Sequence, residues 1–115
     1  MGFVVDKNSA KHYTWGECCN SWILADTAGL SIKLESMPGN TKEKLHFHTY
    51  AQQFFFILKG VATFYVEEDV FVLTEQNGLL IEANRKHFIA NEKDANLDFL
   101  VISQPTTNHD RTTIE

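Results

Sequence analysis

Cysteine, proline and arginine are scarce in this chain, with two of each among 115 residues. The cysteines are adjacent, Cys18 and Cys19, and a disulfide between neighbours is strained, so no disulfide framework holds the fold. Free thiols point to a reducing compartment, taken here as the cytoplasm. Guanidinium groups occur only at Arg85 and Arg111, and no basic run exists, so the electrostatic footprint of a nucleic-acid binder is missing. The formal charge of −5 and pI of about 5.5 favour solubility instead. Long apolar runs are missing too. The longest, Phe54 to Leu58, is too short to span a bilayer. Residues 1–6 carry no basic or extended apolar leader, and Asp6 stands where a myristoylation signal needs Ser or Thr. No repeat, linker or amphipathic helix pattern is visible.

What is present is aromatic and alternating. Nine Phe, three Tyr and two Trp accompany 43% hydrophobic and 22% charged residues, an ordinary balance for one globular domain over 1–115. The apolar pattern has period two, which predicts strands. These are expected over Trp22 to Asp26, Leu30 to Glu35, Leu45 to His48, Gln52 to Leu58, Val61 to Glu67, Val70 to Thr74, Leu79 to Ala83, Lys86 to Asn91 and Leu97 to Ser103. Glu67-Glu68-Asp69 and Asn77-Gly78 supply hairpin turns. The class is therefore all-β, a sandwich or closed barrel. Phe55 shares the parity of Gln53 and Ile57 and is placed inside. Phe54 and Phe56 then face outward, to be covered by a second sheet, by the N-terminal segment or by a second copy in a homodimer.

Three of the five histidines form a pattern with a glutamine. His46 and His48 are two apart, so on a strand both project to one face. Gln53 opens the next strand, and His87 lies on a later one. Neutral imidazoles suit Fe, Mn, Ni, Zn or Cu, and four ligands leave positions open for a substrate. Each His alone reads as a hydrogen-bonded core residue; the four together read as a site.

The chain resembles the cupin superfamily, whose first motif is G-x5-6-H-x-H-x3-4-E-x6-G. Here Gly39, His46, His48, Gln53 and Gly60 fall at those spacings, with Gln for Glu. The second motif ends in P-x-G-x2-H-x3-N. Its His and Asn match His87 and Asn91, while Glu82 and Asn84 replace Pro and Gly. The resemblance implies a single cupin barrel, a double-stranded β-helix or jelly roll of the RmlC-like type. His46, His48, Gln53 and His87 then occupy the family's metal-ligand positions. Glutamine in place of glutamate leaves a divalent site about +2 in charge, which weakens metal binding and strengthens the pull on anions. It also makes an empty site tolerable, since no carboxylate is left buried and unpaired.

Tyr50, Phe55, Trp22 and Arg85 are the candidates for substrate contact, Arg85 because a guanidinium grips carboxylate or phosphate. Tyr50 and Arg85 also read as surface residues, and Trp22 as packing. Asp110 and Arg111 either fold over the barrel opening or belong to a mobile polar tail, the reading their composition favours. His12 and His109 are expected at the surface. The resemblance implies a metal-dependent enzyme acting on a small anionic or sugar-like molecule, by isomerisation or ring rearrangement, or by dioxygen chemistry. The alternative is a non-catalytic small-molecule or metal sensor. The final strand offers no inward carboxylate as a base, because Leu100, Val101 and Ile102 fill it.

Overall fold

The computed structural model describes residues 2–114. Alternation of side chains along the chain produces strands and, among the described residues, no helix. In chain order they are β1 (Lys11–Trp15), β2 (Cys19–Asp26), β3 (Ser31–Met37), β4 (Thr41–Lys42), β5 (His46–Phe47), β6 (Gln52–Lys59), β7 (Ala62–Val66), β8 (Asp69–Leu73), β9 (Gly78–Ile81), β10 (His87–Asn91), β11 (Leu97–Gln104) and β12 (Thr112–Thr113). One sheet runs β1-β2-β3-β11-β6-β9 and the other β12-β5-β10-β7-β8, with β4 also pairing with β10. Every pairing is antiparallel. The result is an all-β jelly roll with an interior between two sheets. No helix of the described residues is long and apolar enough to cross a membrane.

Register decides which residues meet inside. Across the first sheet, one row aligns Ser31, Ser103, Gln53 and Ile81. The row of Lys33, Val101 and Phe55 follows, then that of Tyr13, Ser21, Glu35 and Phe99. Apolar residues fill one end of the interior: Met37, Ile57, Phe64, Ile89, Leu97 and Phe99 are each at most 1% exposed. Phe55 stands above them, its ring 4.9 Å from that of Phe64 and 5.9 Å from that of Phe99. The opposite end, from Gln53 and Ser103, is polar. Asn91 fastens the packed end: its amide donates to the Met37, Pro38 and Ala95 carbonyls at 2.9–3.2 Å.

Three features of the motif spacing have local causes. Gly39 lies against backbone, where a Cβ would come within 2.4 Å of the Asp94 carbonyl oxygen. Gly60 has φ +93°, a conformation that side chains resist. Asn84 replaces the expected glycine yet keeps its conformation, φ 69°, because asparagine tolerates the left-handed region.

The alternation of β3 runs opposite to simple expectation. Ser31, Lys33, Glu35 and Met37 face inward, while Ile32 and Leu34 face out. Leu34 lies between Trp22 and Leu100, and Leu100 lies beside Phe56. Ile102 and Phe54 pair in the adjacent row. The first sheet thus carries an apolar outer face, on which Phe54, Leu58 and Leu80 are 38%, 42% and 53% exposed. β1, which no alternation announces, extends this sheet by pairing with β2 across the turn at Gly16.

Candidate metal centre

His46 and His87 face each other directly across β5 and β10. His48 follows two residues after His46, and its ring lies 5.0 Å from that of His46 and 5.8 Å from that of His87. One nitrogen from each ring falls within 4.8 Å of the others. All three side chains are buried, between 1% and 4% exposed.

The outer nitrogen of each ring is committed. His46 Nδ1 meets the Lys44 carbonyl at 2.8 Å, His48 Nδ1 the Asp110 carbonyl at 2.6 Å and His87 Nδ1 the Arg85 carbonyl at 2.8 Å. A carbonyl only accepts, so each Nδ1 carries the hydrogen and each Nε2 keeps its lone pair. Burial lowers all three imidazoles, His46 to about 3 and His87 to about 4, despite those carbonyl bonds. His46 and His87 are thus neutral acceptors across the ordinary pH range, and burial shifts His48 in the same direction.

Gln53 joins them from β6. Its amide nitrogen donates to Ser103 Oγ at 3.1 Å, and its oxygen is buried with no partner. His87 Nε2 is likewise buried without a partner. An unpaired buried acceptor costs about 1–3 kcal/mol. Converging acceptors with no donor suit a cation, so the residues present fit a divalent metal held by His46, His48, His87 and Gln53.

A cavity of about 570 Å³ opens beside this group. His46, His48, Gln53 and Phe55 line it, together with Lys33, Glu35, Glu43 and Arg111. Of the residues expected to contact a substrate, only Phe55 is on this wall. Trp22 points to the outer face of the first sheet, where the tilted His12 ring lies 5.2 Å away and the Lys7 ammonium sits 4.4 Å from its ring. Tyr50 is 76% exposed in the turn after His48. Arg85 is exposed and pairs with Glu82 at 3.5 Å. None of these three lines the cavity, because strand parity or turn position directs each one outward. His109 is exposed, as expected, but also lines the cavity.

The segment read as a mobile tail is tied down. β12 pairs with β5, and the Asp110 carboxylate accepts from Thr49, Tyr50 and Ala51 N–H at 2.8–3.3 Å. Partial burial opposes its charge, but these N–H groups prevail and hold the carboxyl below its usual range. Arg111, the next residue, reaches the cavity and stands 3.9 Å from Glu43. Glu35 and Glu43 were not singled out by the sequence. Their signal was available only as the parity of β3 and the spacing of Glu43 before His46.

A family model described as a cupin domain matches residues 33–103. An RmlC-like cupin from Shewanella frigidimarina superposes with a TM-score of 0.84 at 12% identity, covering 95% of this chain and 96% of that one. A predicted oxalate decarboxylase from Thermotoga maritima gives 0.79 at 16%, covering 90% and 100%. A sugar phosphate isomerase of the cupin superfamily from Silicibacter pomeroyi gives 0.78 at 17%, covering 90% and 76%. These likenesses concern the fold. No curated protein matches the sequence.

Proposed function

Because the chain belongs to the cupin domain family, we propose that it is a single-domain, metal-dependent enzyme acting on a small anionic or sugar-like molecule. The observation that carries this reading is the meeting of three neutral imidazoles with the orphaned Gln53 oxygen beside a cavity of substrate size. His46, His48, His87 and Gln53 hold the ion in this reading. A divalent ion there supplies Lewis-acid polarisation of a substrate oxygen, the step needed in isomerisation or ring rearrangement, or a centre for dioxygen chemistry.

The chain's own residues do the rest. The Lys44, Asp110 and Arg85 carbonyls orient the imidazoles, and Ser103 orients the Gln53 amide. Phe55 closes the apolar side of the cavity. Arg111 and Lys33 line it with positive charge, which suits an anionic or oxygen-rich ligand. The neutral Gln53 also supports the alternative of a sensor that alternates between empty and loaded states. A cytoplasmic homodimer completes the proposal, its contact being the apolar outer face around Phe54, Leu80 and Leu100.

Metal analysis of protein purified without added metal, followed by titration with Zn²⁺, Mn²⁺, Fe²⁺, Ni²⁺ and Cu²⁺, tests the reading. One-to-one binding that His48→Ala abolishes is expected. Absence of bound metal and of any binding in titration rejects it.

A further inference from the structure

Two carboxyl groups line the same cavity as His46 and His48 while standing outside the ligand set. Glu35 comes from β3, where Ser21 is its cross-strand neighbour and its hydrogen-bond partner. Glu43 comes from the short connection between β4 and β5. Its Oε1 accepts from the Ile89 N–H at 3.1 Å, and its Oε2 lies 3.9 Å from Arg111 Nη1. Its side chain is 12% exposed. A carboxylate drawn this far from water, and aimed at a substrate-sized space, is positioned for more than solubility.

We propose that Glu43 and Glu35 are the proton-transfer pair of this cavity, acting at the carbon beside a carbonyl in a small hydroxy-carbonyl substrate. The inference rests on the metal-dependent reading above and chooses among its reactions. Glu43 is the base, since a backbone N–H and a guanidinium both favour its charged form. Glu35 is the acid: burial holds its proton against the Ser21 hydroxyl that donates to it and against the charges of Lys33 and Arg111, neither of which it pairs with directly. Burial pushes both carboxyls up, and Glu43 reaches about 8, against the pull of Arg111 and with a push from Glu35. A group near that value both takes and releases a proton around neutral pH. The unpartnered Gln53 oxygen and the buried, unpartnered Trp15 indole N–H lie on the same wall, polar atoms that an oxygen-rich ligand or its bound ion satisfies.

The step balances without an added reactant. Glu43 removes the proton from the hydroxyl-bearing carbon, and that C–H electron pair becomes a C=C bond. The carbonyl oxygen takes the proton that Glu35 carries, giving an enediol. The second hydroxyl then returns a proton to Glu35 as its oxygen becomes the new carbonyl. Glu43 delivers its proton to the neighbouring carbon. Both carboxyls end as they began, and the carbonyl has moved by one position.

Solvent-deuterium exchange tests the pair. The full chain is loaded with Zn²⁺ and incubated in D₂O with dihydroxyacetone as the probe, and loss of C–H signal is followed by proton NMR. Exchange faster than with Zn²⁺ alone is expected. Glu43→Gln lowers it by about a hundredfold, the lower range for one acid–base group. Glu43→Asp, which keeps a carboxyl, restores part of the rate, and zinc content stays equal in all three. Zinc-loaded Glu43→Gln that exchanges at the native rate overturns the inference, as does native protein no faster than zinc alone. A protein that binds no zinc yet exchanges the probe through Glu43 keeps the pair and removes the metal reading.

Discussion

Metal affinity should barely respond to acid down to about pH 5.5. Protons compete with a metal for an imidazole only below that imidazole's pKa. At pH 5.5 a histidine at its ordinary value of 6.5 is about nine-tenths protonated, and three such ligands lower affinity about a thousandfold relative to pH 7.5. Burial places His46 at about 3 and His87 at about 4, so neither is measurably protonated over that interval. His48 is lowered by the same cause, and its contribution is at most the ordinary one, about tenfold. The expected loss is thus under about tenfold instead of about a thousandfold. Competition titrations of Zn²⁺ against a chromophoric chelator at the two pH values measure it. Repeating them in Glu43→Gln separates any proton that this carboxyl releases on binding. A hundredfold or larger loss in that variant would show that the imidazoles are not desolvated as their burial requires, and the argument from neutral acceptors would fall.

Other outcomes follow from the same structure. Gln53→Glu should tighten Zn²⁺ binding at least tenfold and weaken inorganic phosphate binding to the loaded protein, both read by calorimetry; unchanged phosphate affinity would refute the charge argument. Asp110→Ala removes an acceptor shared by three N–H groups and should destabilise the fold by about 1–3 kcal/mol. In that variant, hydrogen exchange should rise selectively at residues 49–51 and in β12, whereas unchanged protection there would show that the carboxylate does not secure the segment. Leu100→Arg on the outer face should convert the proposed dimer to monomer in sedimentation; a native protein already monomeric at micromolar concentration would remove that contact.

The strands and the inward placement of His46, His48 and Gln53 were legible because they are local facts. His46 and His48 share a face by parity, and Phe55 follows Gln53 inward by the same rule. Parity sorts residues onto two faces but does not say which face is interior. On β3 it is Ile32 and Leu34 that face outward, and Lys33 and Glu35 that reach the cavity, so a polar residue in a good strand was the concealed signal. β11 turns no carboxylate inward, and the carboxyls that line the cavity come from β3 and from the residue before Lys44. By the same parity, Trp22 packs on the outer face and does not line the cavity. Asp110 had no local signal at all, since its partners lie about sixty residues earlier and only the fold brings them together.

The bond from His48 to the Asp110 carbonyl spans 62 positions of chain. During synthesis, His46, His48 and Gln53 leave the ribosome well before His87, and the pin for His48 emerges last of all. A nascent chain therefore carries the Lys44 and Arg85 carbonyls that aim His46 and His87 but lacks the one that aims His48. If the site holds metal as proposed, its full donor set is oriented only once residue 110 has cleared the exit tunnel and met His48.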